Sequence, residues 1–141
     1  MDHQLETNKA IIQRFNYEFI QGGDRKVGEE LVHPQFINRT VPPGAKGGDK
    51  QGTLDFIEIM RQAFPDITVE ILMQVAEGDL VTTYKAFHGT HLGNWMGIAP
   101  TGRTISFRVI DILRIQDGQA IEHWSVRDNM ALYQQITQNN G

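Results

Sequence analysis

Cysteine is absent from the 141 residues, which removes disulfides, thiolate nucleophiles and cysteine-ligated metals. Charge of one sign is missing too. Thirteen basic residues stand against 17 acidic ones, a net charge of −4, and no lysine–arginine cluster makes an electrostatic case for nucleic acid. No apolar run approaches the length that crosses a bilayer, so no membrane partner is expected. The polar, acidic start MDHQLETNKA lacks the basic-then-apolar order of a signal peptide, and the expectation is a cytoplasmic protein. With no internal repeat and no break in composition, residues 1–141 read as one domain, long enough for a real core.

What is present is organised around residues 100–129. Two apolar-rich runs flank Asp117-Gly118, a strong hairpin signal because both central residues of a type I′ turn need positive φ. A two-residue turn sets Arg114 opposite Ile121, Ile112 opposite His123, Asp111 opposite Trp124, Val109 opposite Val126, and Phe107 opposite Asp128. Alternation then sorts the side chains into two faces. One carries Phe107, Val109, Asp111, Leu113, Glu122, Trp124, Val126 and Asp128; the other carries Arg108, Ile110, Ile112, Arg114, Ile121, His123, Ser125 and Arg127. Two aspartates thus intrude on an apolar, aromatic wall, where desolvation raises a carboxyl pKa and suits it to proton transfer.

Elsewhere the periodicity is first helical, then alternating. Leu5, Ile12, Phe15 and Phe19 place an amphipathic helix over residues 4–21, stopped by Gly22-Gly23, and Asp24 caps a shorter helix through Leu31. His33-Pro34 ends that helix, and residues 35–40, with Asn38, run extended. Residues 41–52 are loop-like, with glycines around Lys46 but no phosphate-loop ending; they serve as a surface loop or a flap over a pocket. A third helix spans residues 53–63 and ends at Pro65. Ile67, Val69, Ile71, Met73 and Val75 alternate as a half-buried strand, a turn at residues 77–79 leads into a strand over residues 80–88, and residues 89–99 form a link. A short helix over residues 130–136 closes the chain before a polar tail, QNNG, expected to be disordered. Helices followed by antiparallel strands give an α+β cone, with helices on one face of a strongly curved, mainly antiparallel sheet and a mouth for a small apolar ligand.

The run Phe87-His88-Gly89-Thr90-His91-Leu92-Gly93, then Gly97, Pro100-Thr101-Gly102-Arg103, the stretch Arg114 to Gly118, His123-Trp124, and Asp128 followed by Gln134-Gln135 together resemble the SnoaL-like polyketide cyclases of the nuclear-transport-factor-2-like superfamily. The resemblance implies the cone fold and a cofactor-free aldol-type ring closure of a polyketide ester. It also implies one acid/base aspartate, matched here by Asp128, and a homodimer. The same scaffold hosts isomerases, dehydratases, hydrolases and non-catalytic binding modules, and these stand as alternatives.

Each candidate has a structural reading beside the chemical one. Asp128 is either the base or the N-cap of the closing helix. Asp111 orients Asp128 or a water, or bonds the Trp124 indole. His91, in a glycine-flanked loop, stabilises an enolate oxygen or is simply solvated. Asn38 offers its amide to a substrate oxygen or fixes the loop after it. Trp124 and Phe107 are pocket wall or core. His88 and His91 lack a recognised metal-ligand spacing, so no metal is expected. Arg108 and Arg127 fall on the far face with Ile110, Ile112 and His123, the surface expected to pair subunits.

Overall fold

The computed structural model describes residues 3–42 and 47–138. Lys46 and the last three residues of the polar tail lie outside the described residues. Helix α1 (His3–Arg14) runs directly into a π-helical segment (Phe15–Gln21), and α2 (Arg25–Leu31) follows, with the Asp24 side chain accepting from the Lys26 N–H as an N-cap. Strand β1 (Val32–Asn38) begins at once, so the extended piece starts earlier than the proline signal suggests. Pro34 sits within it without penalty because β1 is a sheet edge, where a missing N–H costs no ladder bond. Helix α3 (Lys50–Ala63), capped by Asp49, precedes β2 (Thr68–Glu77), β3 (Leu80–Thr90), β4 (Thr104–Gln116), β5 (Gln119–Arg127) and α4 (Asn129–Thr137).

The five strands form a mixed sheet in the order β1-β5-β4-β3-β2, antiparallel throughout except for β1 against β5. The core lies between this sheet and the helices. Ile12, Phe19, Leu54, Met60 and Phe64 from the helical side meet Val81, Phe87, Ile105, Phe107 and Val109 from the strands. The α+β arrangement is as the sequence leads one to expect.

The register is not. The turn forms as expected, with φ of 55° at Asp117 and 76° at Gly118, and Gln116 pairs Gln119 and Ile115 pairs Ala120. Then Ile121 is left unpaired, and Arg114 faces Glu122 instead of Ile121. This bulge gives one strand an extra residue and exchanges its faces beyond that point. Leu113 therefore faces His123, Ile112 faces Trp124, Asp111 faces Ser125, and Val109 faces Arg127. His123, Ser125 and Arg127 point inward; Trp124 and Val126 point outward. A second shift, between Ile71 and Met73 on β2, does the same to the first hairpin. Val69 is buried, whereas Met73 and Val75 are 61% and 56% exposed.

Candidate functional site

Between sheet and helices lies a cavity of about 720 Å³, within the range of small-molecule sites. Its walls are mostly apolar: Ile12, Phe15 and Ile20 from the first helices, Phe56, Ile57 and Met60 from α3, Leu132 and Ile136 from α4, and Trp95 from the link. Trp95 is fixed against Phe56 and Phe64, with ring centroids 5.9 and 5.5 Å away. Into this wall project Asn16, Asn38, Thr53, Lys85, Asp111, His123, Ser125 and Arg127.

Four of these form one connected group. Lys85 Nζ lies 2.5 Å from Asp111 Oδ2 and donates to Asn16 Oδ1 at 2.7 Å, above the ring of Phe87. Asp111 Oδ1 lies 2.7 Å from His123 Nε2. Asn16 is held in turn by its amide, which donates to the Ile12 carbonyl at 2.8 Å, within the π-helical widening that turns it to the sheet. Burial pushes the Asp111 carboxyl up, but the Lys85 ammonium and the His123 ring outweigh it and hold the group well below the usual carboxylate range. Asp111 is therefore a fixed anion. Its bond to Nε2 selects the His123 tautomer with the proton on Nε2, leaving Nδ1 as an acceptor. That Nδ1 is buried and has no hydrogen-bond partner among the described residues. His123 is among the residues that line the cavity, and an imidazole nitrogen with no partner can accept a proton from a ligand that reaches it.

Arg127 lies on the same inner face, its guanidinium 4.6 Å from the Phe56 ring centroid. Burial lowers its pKa, opposed only by the field of Asp111.

The residues singled out from sequence fall in different places. Asp111 and Asn38 do line the cavity, and Asn38 Oδ1 accepts from the Thr40 N–H at 3.0 Å, fixing the following turn. Asp128 is exposed and outside the cavity lining; it caps α4, accepting from the Ala131 N–H at 3.0 Å. The expectation that it shares a face with Asp111 is corrected by the Ile121 bulge. Trp124 is turned to the outer face, beside Arg114 at 5.9 Å, and cannot bond Asp111. His91 is neither solvated nor at the cavity. It is fully buried, bonded through Nδ1 to the Thr101 hydroxyl at 3.0 Å and packed on Phe64. Phe107 is core and outside the cavity lining, its ring tilted against Phe87 with centroids 5.3 Å apart. Arg127 and His123, expected on the far face, are inside.

Lys85 and Asn16 went unnoticed in the sequence, though a signal existed. Lys85 keeps phase with Val81, Thr83 and Phe87 on the buried face of β3, and Asn16 sits four residues after Ile12 on a buried helical stripe. Polar residues in an apolar phase mark buried polar sites. No group of three or more His, Cys, Asp or Glu side chains among the described residues could hold a metal ion. No helix among them is long and apolar enough to cross a membrane.

The family model for SnoaL-like polyketide cyclase matches residues 10–136. The chain is 36% identical to aklanonic acid methyl ester cyclase DauD of Streptomyces sp. (strain C5), over 96% of this chain and 83% of that one. It is 28% identical to nogalonic acid methyl ester cyclase of Streptomyces nogalater, over 67% of this chain and 72% of that one. Among solved structures, TsrD from Streptomyces laurentii superposes with a TM-score of 0.85 at 25% identity, covering 95% of this chain and 97% of that one.

Proposed function

We propose a reaction from one premise: this chain belongs to the SnoaL-like polyketide cyclase family. The protein closes a ring in a polyketide ester by an intramolecular aldol-type step that uses only its own side chains. His123 Nδ1 removes a proton from a carbon lying between carbonyl groups. The resulting imidazolium is stabilised by the Asp111 anion, which Lys85 and Asn16 hold in place. The enolate carbon then attacks a second carbonyl of the same molecule, the carbon–carbon bond forms, and the alkoxide takes the proton back from His123. Asn38, whose oxygen is used by Thr40, keeps its N–H donors for the enolate oxygen. The apolar cavity folds the chain so that the reacting carbons lie close, which supplies much of the acceleration. The observation carrying this reading is the unpartnered His123 Nδ1 on a ring anchored by a charged, buried Asp111.

The test is proton exchange at carbon, followed by NMR in D₂O on β-keto esters and aromatic polyketide esters, with wild type beside His123→Gln and Asp128→Asn. General-base removal is expected to slow exchange by about 10² or more in His123→Gln. Exchange abolished in a well-folded Asp128→Asn and intact in His123→Gln would move the base to α4. Ring-closed product separates cyclisation from isomerisation, dehydration or hydrolysis on the same dyad.

The partner chain is assigned to a second copy of this protein. The bulges turn Met73, Val75 and Val126 outward, where they join Ile110 on the sheet face that no helix among the described residues covers. A homodimer through that face hides them.

A further inference from the structure

The polar groups that line the cavity do not balance in charge. Among the described lining residues, Lys85 and Arg127 are cations and Asp111 is the one carboxylate. Lys85 and Asp111 satisfy each other at 2.5 Å. Arg127 has no hydrogen-bond or ion-pair partner among the described residues, although the two outward-facing arginines of β4 both have one: Arg108 donates to the Tyr84 hydroxyl at 2.8 Å, and Arg114 to Glu122 and Asp79 at 2.9 and 2.7 Å. Arg127 is half-buried, and a guanidinium partly withdrawn from water gains from a ligand that pairs with it.

Its geometry says what would. The guanidinium lies over the Phe56 ring, and its N–H groups are left without a protein partner among the described residues. Such an N–H edge matches a carboxylate through two parallel bonds. One helical turn before Phe56, Thr53 also lines the cavity, and its buried hydroxyl has no hydrogen-bond partner among the described residues. Residues three apart on a helix are neighbours, so this orphan donor belongs to the same wall. The base lies elsewhere. His123 precedes Arg127 by four residues on one strand, roughly 13 Å of backbone at the usual rise.

Resting on the reading of this cavity as the substrate site, we infer that Arg127 is a specificity-determining residue that anchors a free carboxylate carried by the substrate. The carboxylate is distinct from the activated methylene presented to His123, and the two subsites lie far enough apart to need a fused-ring scaffold between them. A neutral ester at the anchor leaves the guanidinium unmatched. The bound anion also restores the charge balance of the wall and offsets the depressed basicity that burial imposes on Arg127.

The probes are anthraquinone-2-carboxylate and its methyl ester, two flat ligands of nearly equal shape that differ in one charge. Binding is followed by calorimetry on wild type, Arg127→Met and Arg127→Lys. Wild type is expected to hold the carboxylate about tenfold or more tighter than the ester, as charge-assisted bonds allow. Arg127→Met should lose that preference through weaker carboxylate binding, and Arg127→Lys should keep part of it, since the charge stays while the fork is lost. Equal affinity for the two probes in wild type overturns the inference, as does failure to bind the carboxylate. A preference that survives in folded Arg127→Met overturns it also, because Lys85 would then be the anchor. Carbon-acid exchange on neutral esters reports on His123 and involves no carboxylate, so the reading of the base and that of the anchor fail separately.

Discussion

At Asp111 two effects act in opposite directions on one carboxyl. Burial disfavours its charge, and the Lys85 ammonium with the His123 ring favours it more strongly, so the folded-state pKa lies below the unfolded value. A depressed carboxylate adds stability that is complete above the unfolded pKa, about 4, and is lost as pH falls from there through the folded value. The acid limb of a urea-denaturation series against pH should therefore be steeper in wild type than in Lys85→Met/Asp111→Asn, where neither charge remains. Asp111→Asn alone leaves Lys85 as a buried ammonium without a counterion and should cost about 3–5 kcal/mol. Much of that cost should return in the double variant, because removing both partners avoids the uncompensated charge. Asp128 is governed by different physics. Its side chain caps α4, and Asp128→Ala should cost about 1 kcal/mol in the same assay.

At the scale of elements, the bulge at Ile121 decides what the cavity contains. Because Ile121 is the unpaired residue, pairing from Arg114–Glu122 onward does not involve it. Deleting Ile121 should leave a regular ladder with His123 still facing the core, and the variant should unfold cooperatively and retain carbon-acid exchange. If the turn alone set the faces, His123 would point outward in wild type, and the deletion would create exchange instead of retaining it. The turn itself is demanding: Gly118 sits at φ 76°, and Gly118→Ala should destabilise by about 1 kcal/mol through strain that glycine avoids. The π-helical segment plays a matching part opposite the sheet, presenting Asn16 to Lys85.

For the whole molecule, the same two bulges link interior to exterior. The β5 bulge brings His123, Ser125 and Arg127 to the cavity by turning Trp124 and Val126 outward, and the β2 bulge turns Met73 and Val75 to the same outer face. Val126, 74% exposed, and Met73, 61% exposed, stand on that outer face. If the homodimer uses it, Val126→Lys with Met73→Lys should shift the mass seen by light scattering from dimer to monomer, with the far-UV spectrum unchanged. A dimer that survives both lysines would place the subunit contact elsewhere.

Helix and strand content, the order of elements and the Asp117-Gly118 turn were determined by the sequence alone, because apolar periodicity and positive-φ turn residues act over a few residues. The family was legible as well, in the spacing of motifs from Phe87 to Gln135. Which residues face the cavity was decided only in the tertiary structure. A bulge has no composition of its own: Ile121 and Leu72 look like ordinary strand residues, and one unpaired position exchanges every side chain after it. For that reason His123 and Arg127 read as outward and Trp124 and Asp128 as inward, the reverse of where they lie. Lys85 reaches Asp111 from a neighbouring strand, and Asn16 reaches Lys85 from a helix 69 residues earlier. Such long-range pairings are specified by packing, which local patterns in a chain do not record.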